Sequence, residues 1–441
     1  MKEYRLFSRI TSVFLGLMLT VFLFAFGSGG FQTILSVKYR LFLILCGGYC
    51  GVMLLLLMES AVVGAVKLPR PGELLRRSSW PQRLMLIYLL FSLAATVCSP
   101  FGSRAWLGAS RHEGFLTILI YCLTFLLVSV FGKAERWMLW VMAAGVTLLS
   151  VLCIIQLFGG NPFGLYPEGM TYLDAGVKYS GAYLGTIGNV DSVAAFLCVV
   201  IPILWIALIR LKGKLRFLLL IPLAAALFVL CRMSVMAGLV GVFGGGLLSL
   251  PVVLPLSGKG RKLLASAIGV VILLALVGVY LFDMGGGLLH EMHEMLRGRV
   301  EDSFGSGRIH IWKETLEFIV RRPLLGYGPD TMILAGLKPF TRWHEGLGIT
   351  LTAAIDTAHN EYLNIWFHQG LFALLSFLSA LICAAVRWAK KSREDGVTAL
   401  LGGAILCFCV QAFFGIGTCI TSPYFWIAFG LLGQNKNSRA R

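Results

Sequence analysis

Apolar windows of about 15–25 residues recur along the chain, the length that a bilayer demands. They predict about twelve membrane-crossing helices, near 10–26, 41–66, 84–100, 115–132, 137–158, 190–209, 217–231, 233–256, 263–283, 364–386, 397–417 and 422–434. The first window follows MKEYRLFSR, which mimics the charged start of a signal peptide. No small-x-small cleavage site follows it, so it reads as a retained helix. Two polar runs break the pattern at length, about 159–189 and about 284–363. Inside the second, SGRIHIWKETLEFIVRRP changes to a helical period. Ile309, Trp312, Leu316 and Ile319 share one face; His310, Lys313, Glu314 and Glu317 share the other. Ser306 is placed to cap this helix, and Arg322 before Pro323 to stop it. It reads as an amphipathic helix on the outer membrane surface. The chain thus divides into helices and a first outer loop over 1–283, a large outer loop over 284–363, and closing helices with a basic tail over 364–441.

Composition agrees with this pattern. The 441 residues are 58% hydrophobic and 13% charged, against about 45–50% and 25% in soluble proteins. The fold class is an all-α polytopic membrane protein. The net charge of +17 then acquires a topological meaning. KLPRPGELLRRSSWPQR, KAER, RLKGKLR, SGKGRK and RWAKKSRED, with both termini, hold about 24 of the 38 Lys and Arg residues, which marks them as cytoplasmic. Everything else is close to neutral, so no basic patch is left for nucleic acid. The predicted localisation is the cytoplasmic membrane, with both termini inside and the long loops outside. The 11 cysteines lie in or beside apolar spans and offer no outer-loop disulfide pairs.

The chemistry must fit that topology. The cytoplasmic loops run to at most about 20 residues, too short for a nucleotide-binding domain. There is no G-x-x-x-x-G-K-[ST] and no D-x-D pair, so no cofactor or metal is expected. HEMHE, residues 290–294, has its histidines at i, i+3 rather than i, i+4, and reads as a solvated loop face. The spans are nearly free of ionisable residues, with Glu59 and Asp191 near helix ends, which argues against a proton-coupled transporter.

Three residues remain. Arg232, in ALFVLCRMSVMAGLV, sits at an outer turn between two apolar runs, either snorkelling or binding an anion. Arg308 opens the amphipathic helix, either solvated or offering a fixed fork to a phosphate. His359, in DTAHNEYLNIWFHQG, lies at the mouth of a membrane helix. Its ordinary pKa of about 6.5 suits a general base. Asn360 and Glu361 adjoin it as candidate acceptor-binding or orienting groups, and Arg111 in GASRHEG is a candidate substrate contact.

GRIHIWKETLEFIVRRPLLGYGPDT resembles the outer-loop segment of the O-antigen ligase and polymerase superfamily, as AHNEYLNIWFHQG resembles its His-Asn motif with a later Gly. CRMSVMAGLVG is similar to the Ser-Arg-Gly turn of that family, and GTIGNVD to its Gly-x-x-x-Asn-Pro-Asn turn, while WLGASRHEGFLTILIY is similar to its earlier outer loop. Two departures stand out: Cys231 and Met233 flank Arg232, and Val190-Asp191 replaces Pro-Asn. The resemblance implies a GT-C type fold and metal-independent glycosyl transfer outside the membrane. The donor would be a glycan on undecaprenyl diphosphate, and the acceptor a glycan or lipid-linked sugar. Arg232, Arg308 and His359 match the family's functional positions. The alternative is a transporter of polysaccharide or lipid-linked oligosaccharide.

Overall fold

The computed structural model describes residues 2–64, 73, 76, 78–167, 182–283, 285–344 and 349–434. Much of the 159–189 run, most of the first basic loop and the basic tail lie outside the described residues. In chain order the helices are α1 (Tyr4–Phe22), α2 (Gly30–Val62), α3 (Trp80–Val97), α4 (Phe115–Phe131), α5 (Arg136–Leu157), α6 (Val190–Arg210), α7 (Lys214–Met233), α8 (Met236–Val253), α9 (Gly258–Leu281), α10 (Gly287–Leu296), α11 (Arg308–Arg321), α12 (Glu361–Gln369), α13 (Leu371–Lys391), α14 (Gly396–Ala412) and α15 (Ser422–Leu432). Among the described residues, α1–α3, α5–α9 and α13 are long and apolar enough to cross a membrane, and α4, α14 and α15 are shorter apolar helices. The chain is a multi-pass membrane protein. Two short antiparallel pairs complete it: β1 (Tyr183–Leu184) with β2 (Gly188–Asn189), and β3 (Phe340–His344) with β4 (Ile349–Ala353).

Burial orders the bundle. The apolar window of α6 is 78% buried, whereas that of α9 is 6% buried. The centre is therefore α6, packed against α7, α8 and α14, while α3 pairs with α13 and α4 with α15. Nearly every residue of α15 is buried, so this short helix is an internal strut.

A buried ionisable residue lies inside a span after all. Lys38 falls within α2 and is 1% exposed. Its ammonium donates to the carbonyls of Phe22 (2.5 Å) and Leu23 (3.0 Å) at the end of α1. The last carbonyls of a helix lack donors of their own, and Lys38 supplies them. This is a structural strut between two helices.

The large outer loop has its own small core. Ile311, Ile319, Tyr327, Met332, Leu337, Ile355, Ala358 and Phe367 cluster there, with Trp312 and Phe318 packed on them. The helix expected in SGRIHIWKETLEFIVRRP is present as α11, ending before Arg322 and Pro323 as predicted. Its start and phase differ. Ser306 does not cap it; Gly307, at φ 85°, is the capping position and makes no side-chain bond. The inward face carries Ile311, Glu314, Thr315 and Ile319, while Leu316 is 41% exposed. The reason lies downstream: Lys338 folds back over the helix, donating its N–H to the Glu314 carboxylate at 3.1 Å. HEMHE is likewise helical, within α10, and His293 turns inward to bond the Val279 carbonyl at 2.7 Å. The solvated-loop reading of that motif is corrected: the preceding α9 gives it a surface to pack on.

Candidate functional site

His359 is held in place from three sides. Trp312, one turn along α11 from Arg308, donates its indole N–H to the Ala358 carbonyl at 2.9 Å. Asn364 accepts the Ala358 N–H at 2.8 Å and bonds the Thr357 hydroxyl. Asn360 caps α12, its side-chain oxygen accepting from Tyr362 and Leu363 N–H at 3.0 and 3.1 Å. Between these anchors His359 adopts φ 48°, a left-handed conformation that costs a non-glycine residue energy and persists where the surroundings over-determine it.

The Pro-Leu-Leu-Gly-Tyr-Gly run explains how α11 and α12 meet. The Phe367 and His368 carbonyls, orphaned at the end of α12, accept the N–H groups of Tyr327 (2.9 Å) and Gly328 (2.8 Å). Gly370, at φ 85°, lies against the Leu324 carbonyl, where a Cβ would collide with it. The Leu371 N–H then bonds Pro323 O at 2.9 Å. Glycine is needed here for close backbone approach.

Arg308 is half-buried. One terminal nitrogen donates to Gly305 O at 3.0 Å, and its Nε is buried without a partner among the described residues. An unpaired buried donor on a guanidinium is an open place for an anion. Burial lowers the His359 pKa, assisted by the Arg308 and Arg111 charges and opposed by Asp191 and Asp356. Two guanidinium groups and two carboxylates thus act on the imidazole electrostatically.

Arg111 is already paired. It grips Asp356 in a fork, Nε to Oδ2 at 2.8 Å and Nη2 to Oδ1 at 3.1 Å. The loop that carries it is fastened by Asp330, whose carboxylate accepts the N–H groups of Ser110 (3.1 Å), Arg111 (2.9 Å) and Glu113 (3.3 Å), and the Ser110 hydroxyl (2.7 Å). Glu361 turns to the 413–421 loop and accepts the Gly417 N–H at 2.9 Å. Among the described residues, these bonds of Asn360 and Glu361 go to backbone N–H groups rather than to the imidazole. Glu361 and Glu113 line a cavity of about 80 Å³ with Arg111, Asp330, Asp356 and His368, room for a few water molecules. Burial raises the pKa of both glutamates, and the Glu361 charge adds to the rise at Glu113.

Arg232 ends α7 and is exposed, with no hydrogen bond or ion pair among the described residues. The chain turns there through Ser234 at φ 57°. Because α7 packs antiparallel on α6, Arg232 lies at the same end of the bundle as Asp191.

The family model described as O-antigen ligase matches residues 223–378. Over that segment the chain is similar to the O-antigen ligase family. No curated protein matches it. The matched segment contains Arg232, Arg308, His359 and the α11–α12 joint. Arg111 and Asp191 lie before it and reach the site through the fold.

Sequence reasoning did not single out Trp312, Asp330 or Asn364 as organising residues. All three sit in quoted motifs, GRIHIW, GPDT and HNEYLN, but their partners are set by folding rather than by spacing.

Proposed function

We propose that this chain is a membrane glycosyltransferase. It moves a glycan from an undecaprenyl-diphosphate carrier to an acceptor hydroxyl on the outer face of the cytoplasmic membrane. The observation that carries this reading is the fastening of His359 one helical turn from Arg308 through the Trp312–Ala358 bond. In the reaction, the acceptor oxygen bonds the anomeric carbon as the bond from that carbon to the diphosphate oxygen breaks. His359 takes the hydroxyl proton. The diphosphate leaves as an anion, and Arg308, with its open Nε donor, stabilises the developing charge. Arg232, exposed at the same end, contributes a second positive charge without a metal. Attack opposite the leaving group inverts the anomeric centre. Asp191 and Asp356 favour the imidazolium once it forms. A GT-C type fold and an extracytoplasmic site, with membrane lipid as the environment, complete the reading.

Purified protein with a lipid-linked oligosaccharide and no added metal tests it through release of undecaprenyl diphosphate and the size of the glycan products. His359→Asn is the informative variant, since Asn tolerates the left-handed backbone. Wild type should release the carrier; His359→Asn and Arg308→Lys should lose about 100-fold or more. Full activity in both variants overturns the mechanism, and translocation without a new glycosidic bond identifies a transporter.

A further inference from the structure

A second, larger cavity lies away from the His359 site. It has a volume of about 400 Å³ and is walled by α1, α5, α6, α14 and α15, with Leu15, Met18, Met142, Ile203 and Leu400 among its apolar lining. Cavities of that size are typical of small-molecule sites. An apolar lining makes it poor for water, and close-packed interiors do not leave such volumes empty.

Its mouth fixes the direction of entry. Arg136 at the start of α5, Arg210 at the end of α6, and Glu394 and Asp395 before α14 all line it. Asp191 and Arg210 stand at opposite ends of α6, which spans roughly 30 Å at helical rise. That equals the hydrocarbon thickness of about 30 Å. The mouth therefore opens at the membrane face opposite His359.

The rim charges are not equivalent. Arg210 donates to the Ser392 and Arg393 carbonyls. Asp395 caps α14, accepting from Val397 N–H at 3.1 Å. Glu135 accepts the Trp137 indole N–H at 2.6 Å. Arg136 and Glu394 are exposed, and their side chains make no bond among the described residues. One open cation and one open anion at the mouth of an apolar cavity complement a zwitterion with a chain.

We propose that this cavity holds one acyl chain of a zwitterionic phospholipid from the leaflet opposite His359, its phosphate on Arg136 and its amine on Glu394. Native mass spectrometry of the full chain, titrated with dioleoylphosphatidylethanolamine, tests this. Ile203→Trp fills the cavity and should weaken binding at least 10-fold. Arg136→Glu lies on the exposed rim, spares the packing, and should weaken it by a similar factor. Val270→Trp, on a 55% exposed position of α9, should change nothing. Dioleoylphosphatidylglycerol should bind less well, because the rim carboxylates repel a net anion. Equal binding by wild type, Ile203→Trp and Val270→Trp would show surface lipid only and overturn the site. Aggregation of Ile203→Trp leaves Arg136→Glu to decide, and an unchanged affinity there overturns the headgroup contact. A polyprenyl phosphate in place of phospholipid overturns the occupant.

Discussion

As the proposed base, His359 has to act from a neutral imidazole, and its environment favours that form. Burial and two guanidinium groups hold its pKa below the ordinary value of about 6.5. The proton is lost as pH rises through this lowered value, so the base is available at neutrality. The acid limb of the kcat/KM profile is therefore expected below pH of about 6.5; a limb above that would contradict the assigned base. Trp312→Phe keeps the ring packing but removes the bond to Ala358 O. Misplacing a reacting group by about 1 Å costs on the order of 100-fold in rate, so kcat/KM should fall 10- to 100-fold with little change in thermal stability; unchanged kinetics would reduce Trp312 to packing. At this scale the sequence singled out Arg308 and His359 as candidates, because each sits in a distinctive local pattern. It did not disclose Asp330, whose carboxylate looks like any loop aspartate until residues 110–113 fold onto it. Arg111 was visible as a candidate, but its fork to Asp356 spans 245 positions.

Among the elements, the joint between α11 and α12 depends on glycine. Gly370→Ala would drive a Cβ into the Leu324 carbonyl at a positive φ. It is expected to destabilise by about 1–3 kcal/mol or more and lower the melting temperature in detergent. Gly336→Ala shares the positive φ, at 81°, but faces open space, so it should cost only about 1 kcal/mol. Equal costs would mean that the contact with Leu324 is soft. The apolar helices were legible because a bilayer-length window has few alternative readings. The phase of α11 was less so: periodicity marked a helix, but Glu314 turned inward because Lys338 arrives from 24 residues away. HEMHE failed for the same reason, since α9 supplied the surface that buries His293. Lys38 was missed because the expected second window began beyond it, whereas α2 begins at Gly30.

For the whole molecule, the charge pattern predicts sidedness. A single cysteine at exposed Glu301 should react with an impermeant maleimide in intact cells, and one at exposed Lys390 only after permeabilisation, in each case on a background lacking native cysteines. Labelling of both from the same side would overturn the topology, and with it the outward-facing site. The predominance of apolar, membrane-length helices was readable from the chain. The way in which three distant loops converge on His359 was not, because only tertiary packing decides it.

The fastening of Ser110 and Arg111 to Asp330 also bears on biogenesis. The Ser110–Asp330 bond closes a separation of 220 residues. At a synthesis rate of about 5–20 residues per second, the first loop waits roughly 10 to 45 seconds before its partner has been made. Through that interval the backbone donors of residues 110–113 have only water or a temporary partner. The end of the molecule that carries His359 thus acquires its shape late, and a chain arrested before the ribosome passes Asp330 is expected to be inserted without a fastened 110–113 loop.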